Sequence, residues 1–387
     1  MENTLYKLLN ISDKNQLKQV SKDSKVSIKM LRHYGENDIV PLGEDREKIK
    51  SYLGLSEVEF KLKIGEIDYK LLDLISTHSD EISKIISVHD EAQNDTEFEP
   101  AFVSEYGRLF NGDSIELMKT MDSNSVDLIF ADPPFNIGKE YESKIDDKLG
   151  KESYLRWTEN WLNECVRILK PGGSFFVWNL PKWNTFTANY LDQYLTMRHW
   201  ISVDMKYGLP LKGKLYPAHY SLLYYVKGEK PNTFNNERIP LDVCKTCGHE
   251  LKDYGGYKNK MNPSGVNLSD VWNDIYPVRH SKYKTRGSNQ LPLKLLDRII
   301  SIASEPGDLV FDPFGGSGTT YVVAEILKRN WIGCEIGPVE NIIERFSNIG
   351  LENEQIENIH SKKNQLFLPE TIEIRKRNGY WLPEDFS

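Results

Sequence analysis

The sequence contains no uninterrupted apolar stretch long enough to span a bilayer, which excludes a helical membrane protein. Its beginning, Met1-Glu2-Asn3-Thr4-Leu5-Tyr6-Lys7, lacks an apolar signal core, so a cytoplasmic protein is expected. Cysteine is scarce, with four in 387 residues, too few for a disulfide framework. Cys165 and Cys334 lie inside apolar segments and read as core thiols. An overall positive charge is also missing: the formal net charge is −8. That argues only weakly against a polyanionic partner, because phosphate contacts need a positive face and not a positive protein. Such clusters exist. Arg279, Lys282, Lys284 and Arg286 fall within eight residues, and Lys206, Lys212 and Lys214 surround Gly208 and Gly213.

Along the chain, residues 1–95 read as a separate helical module. Gln16 to Asp23 and Ser27 to Asn37 form two short helical patterns around a turn, with Ser27 placed as an N-cap. The pair resembles a helix-turn-helix with Lys22, Lys25, Lys29 and Arg32 on a basic side. Ile64 to Val88 carries one or two further amphipathic helices, and the acidic stretch from Asp90 to Pro100 is a linker. From Tyr106 strands and helices alternate. That alternation predicts an α/β fold, a Rossmann-like, doubly wound, mostly parallel sheet of seven strands. The domain runs over 106–350 and carries an irregular insertion at about 229–290. A polar tail covers 351–387. No internal repeat is visible.

Two motifs dominate this second region. Asp132-Pro133-Pro134-Phe135 ends the apolar run Val126 to Phe130. Asp312-Pro313-Phe314-Gly315-Gly316-Ser317-Gly318-Thr319 ends a second run, Leu309 to Phe311. Both read as strand ends opening into loops, where open α/β sheets bind ligands. A base amino group is a poor nucleophile because its lone pair is delocalised into the ring. A carboxylate at Asp132 can accept one of its N–H bonds and the Pro133 carbonyl the other. Prolines stiffen such a loop and leave its carbonyls free. Phe135 can stack on a base, worth roughly 1–3 kcal/mol. The glycines at 315, 316 and 318 let the backbone approach a ligand. Glu335, ending the next strand, stands where nucleotide-binding folds hold a ribose diol. A dinucleotide oxidoreductase would need G-x-G-x-x-G, and Gly316-Ser317-Gly318-Thr319-Thr320-Tyr321 fails at its last position.

These residues resemble a known family. Asp132 to Phe135 is similar to the catalytic motif of S-adenosylmethionine-dependent amino-group methyltransferases, and Phe314 to Gly318 to their cofactor motif. With the catalytic motif first, the order is that of the β-class, circularly permuted DNA methyltransferases. The resemblance covers about 106–347. It implies a cofactor site of Asp113, Asp132, Asp312, Phe314, Gly315, Gly316, Ser317, Gly318, Thr319 and Glu335. In it Asp113 meets the adenine and Glu335 the ribose. Residues 229–290 fall where that class places target recognition. The expected partner is double-stranded DNA, held by Lys212, Lys214, Arg279, Lys282, Lys284 and Arg286, with the target base flipped out. A cognate restriction endonuclease and a homodimer are further partners to look for.

Adenine N6 is the expected target, because the motif begins with Asp and not with the Ser common among N4-cytosine enzymes of this class. N4-cytosine and RNA amino groups are the alternatives. A helix-turn-helix regulator with a vestigial catalytic fold is the reading from another class. C5-cytosine chemistry would want a Pro-Cys nucleophile, and no cysteine here follows a proline. Cys244-Lys245-Thr246-Cys247-Gly248-His249 looks like half a zinc knuckle. A full site needs four ligands, with His249, His280 or a second subunit as sources, against two free thiols.

Overall fold

The structure is a computed structural model that describes residues 4–37, 39–86, 98–138, 147–204, 212, 213, 215–249, 260–278 and 290–386. The chain divides into two compact units. One holds residues 1–94 with 148–156, the other 95–147 with 157–387.

The first unit is helical: α1 Thr4–Leu8, α2 Lys14–Ser24, α3 Ile28–Asn37, α4 Gly43–Leu53, α5 Glu57–Ile64, α6 Tyr69–Thr77 and α7 Ser79–Ile85. Asp13 caps α2 through a reciprocal capping box with Gln16. The Ser27 hydroxyl accepts the Met30 N–H at 3.2 Å at the start of α3. Leu5, Leu17, Val20, Leu31, Ile49 and Phe60 form its core. Lys22, Lys25, Lys29 and Arg32 are exposed.

The second unit is built on strands β1 Pro100–Val103, β2 Gly107–Asn111, β3 Val126–Ala131, β4 Leu169–Asn179, β5 Thr196–Asp204, β6 His219–Val226, β7 Arg238–Ile239, β8 Val266–Asn267, β9 Val271–Trp272, β10 Leu309–Asp312 and β11 Asn330–Glu335. Its helices are α8 Ser114–Thr120, α9 Lys151–Ile168 from Trp157 onward, α10 Pro181–Leu191, α11 Leu293–Ala303, α12 Thr319–Ile326, α13 Glu340–Ser347, α14 Ile349–His360 and α15 Pro369–Asn378. The main sheet has the order β1-β2-β11-β10-β3-β4-β6-β5-β9, and β7 pairs with β8 apart from it. The expected seven strands form its centre, from β2 to β5. Two more extend the edges: β1 folds back antiparallel on β2, and the two-residue β9 adds to β5. Both are too short to show an alternating pattern in the sequence.

From β2 to β4 every pairing is parallel, and β6 returns antiparallel between β4 and β5. Strand β3 is apolar at nearly every position because both faces of the sheet are covered. Leu128 and Phe130 face the core shared with α11 and α12. Ile129 and Ala131 face the core shared with α8, α9 and α10. Among the described residues no helix is long and apolar enough to cross a membrane.

Candidate active site

The parallel run β2-β11-β10-β3 brings four strand ends to one edge of the sheet, and each carries an acid. Asp113 follows β2, Glu335 ends β11, Asp312 ends β10 and Asp132 follows β3. The register pairs Glu335 with Asn111, Asp312 with Gly333, and Phe311 with Ile129. The two motifs, far apart in sequence, therefore leave neighbouring hydrogen-bonded strands.

The glycine loop is held from several sides. The Asp312 carboxylate accepts the Phe314 N–H at 2.9 Å and the Thr320 hydroxyl at 2.5 Å. Glu335 accepts the Gly316 N–H at 2.7 Å and the Gly337 N–H at 2.8 Å. The Leu291 carbonyl accepts from Thr319 at 3.2 Å. Arg345, on α13 and 2% exposed, donates to the Ser317 carbonyl at 2.8 Å and to the Thr319 hydroxyl at 2.9 Å. Gly318 starts α12 at a φ of +75°, where a Cβ would stand 2.6 Å from Ile342. A Cβ on Gly315 would come within 2.6 Å of the Tyr321 hydroxyl, which sits between the carbonyls of Asp312 and Cys334.

Two of the four acids on this edge, Asp312 and Glu335, are buried, whereas Asp132 is partly buried and Asp113 exposed. Burial pushes the Asp312 carboxyl up to about 7, with the negative charge of Glu335 adding to it. The Cys334 thiol is pushed up to about 12, again by burial first and by Glu335, Asp113 and Asp312 second. It is thus no nucleophile. Among the described residues, no Lys or Arg is ion-paired with Asp113, Asp312 or Glu335. S-adenosylmethionine carries a sulfonium and an ammonium against one carboxylate. An acid-lined strand edge beside a glycine loop fits such a cation, in charge and in backbone access.

On the other side of the edge, Asp132 and Pro133 open the second loop. Among the described residues no donor reaches the Pro133 carbonyl. The Phe135 carbonyl accepts the indole N–H of Trp183 at 2.7 Å, from the first turn of α10. Because β6 is antiparallel, its first residues return to this same edge. Tyr220 stacks on Trp178 with centroids 5.0 Å apart, and the Phe135 ring lies 5.8 Å from it. The Tyr220 hydroxyl is raised by burial and by the charge of Asp132 beside it. Phe135 is only 6% exposed, its ring turned into the core, so the half-buried Tyr220 is the more open aromatic next to Asp132.

The DNA methylase family of the N6/N4 type matches residues 126–344. The type II methyltransferase M.BamHI of Bacillus amyloliquefaciens is 50% identical over 372 residues, 95% of this chain and 88% of that one. The chain belongs to the N6/N4 DNA methylases. The DNA adenine methyltransferase YhdJ of Escherichia coli is 33% identical over 61% of this chain and 80% of its own length. A solved structure, the PvuII DNA methyltransferase (cytosine-N4-specific), covers 67% of the chain and 95% of itself at 23% identity, with a TM-score of 0.49. This methylase is an enzyme that depends on S-adenosylmethionine and has the permuted motif order.

Other expected site residues of the methylase are placed as follows. Asp113 is exposed and caps α8, accepting the Ile115 N–H at 2.7 Å. Lys212 is exposed. Lys214, Arg279, Lys282, Lys284 and Arg286 lie outside the described residues. Cys244 is exposed and Cys247 partly so, and both thiols are free. Among the described residues no group of three or more His, Cys, Asp or Glu is arranged to hold a metal ion. Sequence reading missed Arg345, Trp183 and Tyr220. Arg345 sits among Glu340, Glu344 and Glu352 and looks like a surface cation. Trp183 and Tyr220 lie far from the motif in sequence, and only the topology brings them against it.

Proposed function

We propose that the chain is the modification methyltransferase of a type II restriction–modification system. It moves a methyl group from S-adenosylmethionine to the exocyclic amino group of a flipped-out base in duplex DNA, and adenine N6 is the target. What carries this reading is the adjacency of β3 and β10, whose ends put a carboxylate–carbonyl pair beside a glycine loop. A cognate endonuclease reading the same sequence is the functional partner.

The bound cofactor supplies an electrophilic methyl group on sulfur. The chain's own residues do the rest. Asp132 accepts one N–H of the amino group and the Pro133 carbonyl accepts the other. That draws the nitrogen toward tetrahedral geometry and localises its lone pair. Methylation would leave positive charge on the nitrogen, and the Asp132 carboxylate would stabilise that charge and receive the proton the nitrogen gives up. Asp113 and Glu335 would hold the cofactor's adenine and ribose, and the Phe314–Thr319 backbone would line its site. Tyr220 offers a face for the flipped base. The remainder of the rate comes from positioning. Residues 106–350 form the catalytic domain, and the N-terminal helices serve as an accessory module.

Adenine is favoured by the Asp at the head of the motif. The same carboxylate–carbonyl pair also fits the 4-amino group of cytosine. The test is nucleoside analysis of DNA from cells expressing the protein. N6-methyladenine supports the full reading. N4-methylcytosine moves the target to cytosine and keeps the chemistry. Methyl transfer to RNA alone, or to no nucleic acid, sinks it.

A further inference from the structure

The last part of the chain is too polar for its structure to be read from sequence. It folds onto residues 241–249 and 261–266 of the insertion. Leu366, Phe367 and Leu382 form a small core of their own with Leu241, Val243, Met261 and Val266. The backbone continues the match. Leu241 N–H donates to the Leu366 carbonyl at 2.9 Å, and Leu366 N–H to the Pro263 carbonyl at 2.8 Å. At the centre lies Arg375 of α15, 0% exposed. Its guanidinium packs over Phe367, Tyr380 and Trp381, at 4.3, 5.5 and 4.9 Å from the ring centres. It also donates to the carbonyls of Gly248 and Trp381. Asn378 donates to the Cys247 carbonyl at 3.0 Å, and the His249 and Tyr380 rings meet at 5.1 Å. The turn that looked like half a zinc knuckle is thus clamped by the end of α15.

This clamp places two basic segments together. Lys245 lies in the turn, and Lys376 and Arg377 lie in the last turn of α15. All three are exposed, and among the described residues none is ion-paired. The cations deeper in the same unit behave otherwise. Lys363 is paired with Glu237 and Asp297, and Arg298 with Asp274. Leaving three exposed cations unneutralised at one tip suits a polyanion.

We infer that residues 361–386 complete the recognition module, and that its tip, Lys245 with Lys376 and Arg377, contacts the phosphates of duplex DNA. The inference rests on the reading of this chain as a DNA methyltransferase. Neutralising the three to Gln should weaken binding of a fluorescein-labelled duplex by about tenfold at low salt. The slope of log affinity against log salt should become shallower by about 3. S-adenosylmethionine binding, measured by calorimetry, should be unchanged, and this also reports an intact fold. Unchanged DNA affinity and slope in a variant that still binds cofactor would overturn the inference. Methyl transfer by the unsubstituted chain is measured alongside. If that chain methylates DNA while the variant binds like it, only this inference fails. If it never methylates DNA, the parent reading fails.

Discussion

The Glu335 carboxylate accepts the Gly316 N–H at 2.7 Å, so the end of one strand holds open the loop leaving its neighbour. The same side chain accepts the Gly337 N–H at 2.8 Å and is 9% exposed. One buried carboxylate thus shapes the glycine loop and faces the proposed ribose site. Glu335→Ala would strand two amides and cost about 3 kcal/mol or more of stability. Cofactor affinity should fall at least about tenfold. Glu335→Gln keeps one good acceptor and should fall between. Calorimetric titration with S-adenosylmethionine checks this, and equal affinities for all three proteins would remove Glu335 from the site.

The parts of this arrangement that sequence made legible are local. Asp132-Pro133-Pro134-Phe135 and Phe314 to Gly318 each sit at the end of an apolar run, so strand, loop and chemistry are contiguous. What stayed hidden is what works across space. Arg345 reaches the Ser317 carbonyl from 28 residues away, and Trp183 reaches the Phe135 carbonyl from 48. Helix α10 gives little sign of itself in the sequence, because its mix of Asn, Thr, Phe and Trp has little helical propensity. Phe135 was read as a base-stacking ring, since nothing in its own neighbourhood shows that Tyr220 holds the more open place. The insertion was legible as a region, but its closure by α15 depends on one buried arginine more than a hundred residues on.

Asp132→Ala should reduce methyl transfer by at least about a hundredfold, since it removes a charged acceptor from the reacting nitrogen. Cofactor affinity should change little, because the glycine loop is held by Asp312, Glu335 and Arg345. Single-turnover methylation with labelled cofactor separates the two effects. Full activity would end the assignment of Asp132.

The Asp312 carboxyl gives a pH signature. Burial raises it from 3.8 to about 7 in the folded state. A carboxyl raised on folding means that the native state binds more protons than the unfolded one. Stability should therefore fall as pH rises from about 4 to about 7, by up to roughly 4 kcal/mol from this group. Asp312→Asn keeps an acceptor for the Phe314 N–H and removes the titration. Urea midpoints at about pH 5 and about pH 8 should diverge more for the unsubstituted chain than for the variant. Parallel curves would refute a raised Asp312.

Trp183 supports the loop proposed to be catalytic from outside the Asp132–Pro133 pair. Its indole N–H supports the Phe135 carbonyl at 2.7 Å from a buried site. Trp183→Phe removes that donor and leaves a buried carbonyl unpaired, at about 1–3 kcal/mol. The turnover rate should drop several-fold while the KM for cofactor stays put. A KM change with unaltered turnover would place Trp183 in binding instead.

Gly248 tests whether the clamp on the recognition module is real. Its φ is +72°, and a Cβ there would stand 2.8 Å from the Arg375 Cγ and 3.3 Å from the Ile374 Cγ2. Arg375 cannot retreat, because Phe367, Tyr380 and Trp381 surround its guanidinium. Gly248→Ala therefore meets a left-handed backbone penalty of about 1–2 kcal/mol together with a clash that only displacement of α15 relieves. Hydrogen exchange should rise in residues 361–386 and in the stretch 236–249. Residues 126–131 and 309–335, deep in the main sheet, should keep their protection. DNA affinity should fall with the module, while cofactor affinity holds. If exchange instead rose uniformly across the unit, α15 and the insertion would be part of the catalytic core and not a separately docked reader.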